Sequence, residues 1–340
     1  MRYVLEPMLF AFEQDMAKEQ LVDYLEELRT LDNWWDIHRE DMFIQNTTND
    51  ILWANNYYPM ANSLKPLMEK HNIDFIQYGD VNKIIEKILS KSMCINSLYD
   101  AICEMKSQTL SHPKNFHSKM KRPPELHNEL MTLLWHIFMA HKVGGCDEKS
   151  FVVITKGISD IISIEYVYEE LDEHYELKER IGSSEVNCKD SLETFLNDRA
   201  TPFLLWKTAE KKDDLDLGIR VSVLQHKAGS DMASVYEDYN FVLQDSFYED
   251  YQNGHYRSKD QDIRSTIQSV TDAVIEQNLV KVHAIRTGKG GNDSQLTING
   301  YGAQRRDITT SIKLSYWKKG RKLKFANMRE HDFFEPTWET

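Results

Sequence analysis

The chain has 340 residues, 41% of them hydrophobic and 28% charged, and a formal net charge of −13. This length carries two or three domains with their own cores, and the composition excludes a collagenous, low-complexity or disulfide-framed chain. No run approaches the roughly eighteen apolar residues of a membrane-crossing helix, so no membrane association is expected.

Residues 1–7 carry an acid and a proline and lack the pattern of a secretory signal. Residues 3–12 have strand character, and 17–31 form a predicted helix with Leu21, Tyr24, Leu25 and Leu28 at helical spacing. A short apolar run at 42–44 precedes a predicted helix at 63–71, a strand at 73–78 and a helix at 80–90. This alternation predicts a small α/β unit over residues 1–92, without the glycines of a nucleotide loop. The segment 111–124 holds three of the eight prolines and four Lys or Arg, the composition of a linker or exposed loop.

A predicted helix then runs to His141, apolar at Leu126, Leu130, Leu133, Leu134, Ile137 and Phe138, with prolines at its start and Gly144-Gly145 past its end. From Ser150 the period changes: 151–155, 161–168, 202–207 and 219–225 read as strands, with helices near 169–180 and 189–198. Residues 93–233 are therefore expected as a helical segment plus a mixed α/β unit. A third unit, 234–340, reads as a strand at 239–244, helices at 245–251 and 261–277, and strands at 280–286, 295–298, 308–316 and 323–328. The expected fold class is multi-domain α+β. Cys94, Cys103, Cys146 and Cys188 stand apart with no C-x-x-C pair, which fits neither a zinc site nor a disulfide framework and leads to a cytoplasmic location.

Charge is distributed unevenly. Residues 281–329 hold twelve Lys or Arg against Asp293 and Asp307, whereas residues 1–280 hold 29 basic and 48 acidic residues. Six cations are crowded between Lys313 and Lys324. An acidic body with a basic end points to a polyanion as the partner of that end, or to docking of the end on the body.

Several runs in the third unit carry a family likeness. Tyr239-Asn240-Phe241-Val242-Leu243 precedes Phe247-Tyr248-Glu249-Asp250-Tyr251, and Leu296 to Gly300 leads into Tyr301-Gly302-Ala303-Gln304-Arg305-Arg306. Lys313-Leu314-Ser315-Tyr316 and Arg329-Glu330-His331 follow. In order and spacing these runs resemble the RelE/YoeB superfamily of ribosome-dependent mRNA interferases, a family of bacterial toxins. Lysine stands at Lys313 where the family has arginine, and Asp332 where it has tyrosine. The likeness covers about a hundred residues. It implies an antiparallel sheet with two helices, an RNA or ribosome partner, an antitoxin-like inhibitor or other protein partner, and no cofactor.

Elementary chemistry names the same residues. Attack of a 2′-hydroxyl on the adjacent phosphate needs a base, cations around the phosphorane and an acid for the leaving oxygen, but no metal. His331 can act as acid or base. Arg305, Arg306, Lys313 and Arg329 can neutralise phosphate oxygens, Tyr316 can stack on a base, and Lys289 lies in a glycine loop able to close on substrate. The expected catalytic residues are His331, Lys313 and Arg329; Arg305, Arg306, Tyr316 and Lys289 are the expected RNA ligands. The leading expectation is an endoribonuclease-like toxin or effector, in the setting of bacterial anti-phage defence.

Two other readings stand beside it. One is a noncatalytic RNA-, ribosome- or protein-binding subunit of a defence complex. The other is a Mg²⁺-dependent DNA nuclease, in which Asp214 or Asp216 precedes a strand ending in Gln225-His226-Lys227.

Overall fold

The computed structural model describes residues 1–113, 122–171, 176–227, 230–288, 293–330 and 335–339, with 255 and 256 described in their backbone alone. The fold is α+β, in two compact units, Met1–Phe195 and Leu196–Thr340, each with its own mixed sheet. No helix among the described residues is long and apolar enough to cross a membrane.

The first unit contains β1 (Arg2–Leu5), α1 (Lys18–His38), β2 (Met42–Ile44), α2 (Thr48–Ala54), α3 (Ala61–Lys70), α4 (Tyr78–Lys91), β3 (Met93–Cys94), β4 (Cys103–His112), α5 (Pro124–Lys142), β5 (Phe151–Ile154), β6 (Asp160–Leu171) and β7 (Leu177–Lys189). The strand order is β3-β2-β1-β5-β7-β6-β4. Its first five members are mutually parallel, and β6 and β4 extend them in antiparallel fashion. Central parallel strands must be covered on both faces. Accordingly β5 is buried throughout, Trp34 of α1 meets Tyr3 edge-on at 5.3 Å, and α5 packs Leu130, Leu134 and Phe138 against Val4, Phe43 and Val153.

The expected unit 1–92 does not stand alone, because β1 lies between β2 and β5 of the same sheet. The segment 73–77 forms no strand. The acidic stretch near 169–180 has helical composition, yet its described residues 169–171 and 177–180 belong to β6 and β7, which pair from Asp160↔Cys188 to Leu171↔Leu177; residues 172–175 lie outside the described residues. Cross-strand partners outweigh local propensity here. A short helix, α6 (Leu192–Asn197), follows where a helix is expected.

The second unit runs α7 (Thr201–Lys207), α8 (Lys212–His226), α9 (Met232–Asp238), β8 (Phe241–Leu243), α10 (Asp245–Asn253), α11 (Asp260–Val274), β9 (Val282–Ala284), β10 (Thr297–Ile298), β11 (Tyr301–Asp307), β12 (Ile312–Lys319) and β13 (Lys322–Glu330). Its sheet has the order β10-β11-β12-β13-β8, with β9 also on β11. Among the described strands of this sheet, only β8 is parallel to its neighbour. The hairpin β12–β13 turns at Gly320, whose φ of +58° is costly for other residues. One sheet face buries Leu314, Tyr316, Phe325 and Met328 against Phe247 and Tyr251 of α10 and Ile263, Ile267 and Val270 of α11.

The predicted strands at 202–207 and 219–225 are the helices α7 and α8. A helix enclosed on most sides is apolar on most sides, so its period disappears into a run that reads as a buried strand. Trp206 of α7 donates from Nε1 to the Leu215 carbonyl at 3.1 Å. Gly218 admits the indole, since a Cβ there would lie 2.4 Å from Trp206 Cδ1. Trp206, Leu215, Ile219 and Val223 share one core with the sheet, so the boundary expected at 234 falls inside this unit.

A fragment 235–340 lacks α7 and α8. We expect it to expose its core and unfold without a cooperative transition, whereas 196–340 unfolds cooperatively in urea. A sharp transition for the shorter fragment would show that the two helices are dispensable.

Candidate nucleic-acid interface

Directly opposed residues on antiparallel strands place their side chains on the same sheet face, and successive residues alternate. Arg306 opposes Val282 and Leu314, and Leu314 opposes Met328. This row faces the helices. Arg305 opposes His283 and Ser315, and Ser315 opposes Asn327. Asp307 opposes Lys313, which opposes Arg329. The face turned away from the helices therefore holds two adjacent polar rows that bring together Arg305, Lys313 and Arg329.

Arg306 and Tyr316 belong to the other face, which corrects their expected role as RNA ligands. Arg306 is fully buried; its Nη2 lies 2.6 Å from Asp272 Oδ2 and its Nη1 donates to the Gln277 carbonyl at 3.0 Å. Asp272, on α11, also accepts from Gln268 and Asn278, each at 2.7 Å. The guanidinium has no surface to offer a phosphate. Tyr316 is 2% exposed, with its ring centroid 5.7 Å from that of Phe325, and burial pushes its phenol up to about 12. It is a core residue, out of reach of a stacking base.

Lys313 Nζ lies 2.9 Å from Asp307 Oδ1 and is itself almost enclosed. Desolvation raises the Asp307 carboxyl, but the Lys313 ammonium and the charges of His283 and Arg305 outweigh it and hold that carboxyl below the ordinary aspartate range. Arg329 is exposed, and its Nε lies 3.1 Å from both carboxylate oxygens of Asp250. Asp250 comes from α10, which lines the edge of β13 beyond the end of β8. There Asp250 accepts from Asn327 Nδ2 and the Met328 amide at 3.0 Å, and Ser246 Oγ donates to the Ala326 carbonyl at 2.8 Å. Helix side chains thus satisfy backbone groups that a further strand would otherwise take. Lys289 and His331 lie outside the described residues.

The hairpin end of the same face is covered. Trp338 lies 5.3 Å from both Trp317 and Tyr301, Trp317 Nε1 donates to the Thr337 carbonyl at 2.7 Å, and the Thr337 amide donates to Asn327 Oδ1 at 2.7 Å. The Glu339 carboxylate accepts from the amides of Asp245 and Ser246, at 2.8 and 2.9 Å, in the first turn of α10. An anion there meets unpaired helix amides and the positive end of the helix dipole. Desolvation raises the Glu339 carboxyl, but the Ser246 and Asp245 amides pull it further down, below its ordinary value.

Other expected sites take different forms. Asp214 and Asp216 stand on α8, so the strand on which the nuclease reading depends is missing. Asp214 Oδ2 accepts from the Glu210 and Lys211 amides at 2.9 and 3.3 Å, and Asp216 pairs with Arg220 at 2.6 Å. Lys227 instead lines a cleft of about 310 Å³ with Asp238, Glu276, Lys318 and Arg321, and none of Arg305, Lys313 and Arg329 borders it. In the first unit, Glu6 just beyond β1 and Thr155 just beyond β5 both bind Arg122, a buried group that local sequence pattern does not announce. His283, Asp307, Asp250 and Asp272 were likewise missed. Strict alternation from Arg305 through Asp307 is the signal that marks Asp307; the other three depend on which strand or helix lies alongside.

Removing Asp272 leaves the Arg306 charge buried without its partner, so Asp272→Ala should cost about 3–5 kcal/mol in urea denaturation; a loss below about 1 kcal/mol would mean the guanidinium is not desolvated. Glu339 is held low in the folded state, so its contribution is fully present above its ordinary value of 4.5 and is lost as pH falls through the depressed one. Glu339→Gln should lower stability near neutral pH and remove this acid-dependent component. Equal loss of stability with falling pH in both proteins would assign the effect to other carboxylates.

Compared with protein-family models, curated proteins and solved structures, the chain matches none of them.

Proposed function

We propose that the second unit engages RNA on the sheet face turned away from its helices, as a metal-independent endoribonuclease resembling the RelE/YoeB mRNA interferases. The observation that carries this reading is the placement of Arg305, Lys313 and Arg329 on one face, in two neighbouring register rows across β11, β12 and β13. Adjacent strands lie about 4.8 Å apart, so the exposed Arg329 and the half-buried Arg305 fall within the span of a short stretch of RNA backbone, with the nearly enclosed Lys313 between them. The basic composition of residues 281–329 supplies the long-range attraction. Cleavage by the RNA's own 2′-hydroxyl needs cations at the phosphate and groups that move protons.

A second reading is favoured by a separate observation: Lys313 and Arg329 already hold the carboxylates of Asp307 and Asp250. Such pairs fix the cations in place, and a phosphate that exchanges with the carboxylates is bound without being cleaved. Under this reading the unit is a noncatalytic RNA-, ribosome- or protein-binding subunit, in the setting of a bacterial defence complex.

The test uses the full chain and labelled single-stranded RNA, free and on translating ribosomes, with chelator present throughout. We expect cleavage with chelator present, and a loss of RNA affinity in Arg305→Ala/Arg329→Ala accompanied by a shallower salt dependence, by roughly one unit of slope per phosphate contact removed. Binding without cleavage selects the noncatalytic reading. RNA affinity unchanged in the double variant removes this face from both.

A further inference from the structure

We infer that His283 is the proton acceptor of the RNA-cleaving site on the outer sheet face. The inference rests on the endoribonuclease reading above and names a catalytic residue for it, one that neither the family likeness nor the local sequence singled out.

Three observations place His283. First, β9 joins the sheet at three positions alone, Val282↔Arg306, His283↔Arg305 and Ala284↔Gln304. Because Val282 packs with the helix-covered core, the alternation turns His283 to the opposite face, in one row with Arg305, Ser315 and Asn327. Second, the His283 side chain is exposed, and among the described residues no hydrogen bond or ion pair engages its ring. Third, the Asp307 carboxylate feels the charge of His283 together with those of Lys313 and Arg305. The imidazole therefore belongs to the same electrostatic cluster as the three cations.

This arrangement divides the work of phosphodiester cleavage. Arg305, next to His283 in the row, presents a guanidinium to the phosphate oxygens, where charge builds up in the transition state. The neutral imidazole of His283 accepts the proton of the 2′-hydroxyl. The 2′-oxygen forms a bond to phosphorus as the bond from phosphorus to the 5′-oxygen breaks. The leaving 5′-oxygen takes a proton from water, and the imidazolium returns its proton to the solvent. The products are a 2′,3′-cyclic phosphate and a 5′-hydroxyl, with no oxidant, reductant or metal consumed. Asp307, already paired with Lys313, borders the same cluster. By register Arg305 lies directly across from His283, Asp307 lies two residues further along β11, and Lys313 lies one strand beyond, across from Asp307.

The experiment compares full-length wild type, His283→Ala, His283→Asn and His331→Ala on labelled single-stranded RNA, free and on ribosomes, with a 2′-deoxy control strand. We expect His283→Ala to cut about 10²-fold more slowly, with RNA affinity changed less than about twofold, because an exposed imidazole adds little to binding. Added imidazole should restore part of the rate to the alanine variant, a rescue that a merely structural role would not give. The acid limb of the pH–rate profile should flatten in both His283 variants. Wild-type cleavage in His283→Ala, with loss confined to His331→Ala, overturns the inference and leaves the endoribonuclease reading intact. Wild-type RNA binding without cleavage, or cutting of the 2′-deoxy strand, overturns that reading and the inference with it.

Discussion

The buried pair of Arg306 and Asp272 is the constraint on which the second unit's outer face depends. A guanidinium enclosed on a sheet needs both a countercharge and hydrogen-bond partners, and α11 supplies them through Asp272 and the Gln277 carbonyl. That requirement sets which face of β11 meets the helices. With Arg306 inward, the period-two alternation of a strand leaves no freedom for its neighbours: Arg305 and Asp307 must point outward. A one-residue slip would exchange the two arginines and drive Arg305 into the core. The pairing of β11 with β12 and β9 carries the same choice across the sheet to Lys313 and His283.

The outer face is built from matched charges. Asp307 accompanies Lys313 and Asp250 accompanies Arg329, so the cations are held in position before any ligand arrives. Such preorganisation lowers the entropic cost of binding, while carboxylate competition lowers the gross gain. Asp250 links this face to α10, and Glu339 sits on the first turn of the same helix. One helix therefore closes the open edge of β13, positions Arg329 and anchors the segment over Trp317.

The first unit solves a related problem differently. Its five parallel strands reverse their order of addition at the β1–β5 junction, where open α/β sheets commonly leave a crevice beyond the strand ends. Here the protein's own side chains fill that place. Glu6 and Thr155, brought side by side because β1 and β5 are neighbours, hold the Arg122 guanidinium. Burial lowers the Arg122 guanidinium to about 10, which leaves it charged at neutral pH beside the Glu6 carboxylate. The cluster ties Arg122, two residues before α5, to the centre of the sheet.

Local order was legible wherever residues close in sequence decide the outcome. The β12–β13 hairpin with Gly320, helices α10 and α11 with their amphipathic periods, and α5 between its prolines and Gly144 all follow from spacing and turn chemistry. The common placement of Arg305, Lys313 and Arg329 does not: Arg305 falls between the predicted strands 295–298 and 308–316, and it is the pairing of β11 with β12 that puts it on the face of Lys313. Tertiary structure alone decided the rest. The enclosed helix α8 carries the apolar run of a buried strand, and only its packing against Trp206 and α11 distinguishes the two. Which of two adjacent arginines is buried depends on where Asp272 lies, a residue on a helix more than thirty positions earlier in the chain. The partnership of β1 with β5 spans most of the first unit and leaves no periodic trace in either strand. A sequence encodes short-range periodicity directly, but the identity of a distant neighbour is fixed only when burial, charge pairing and strand register are satisfied together.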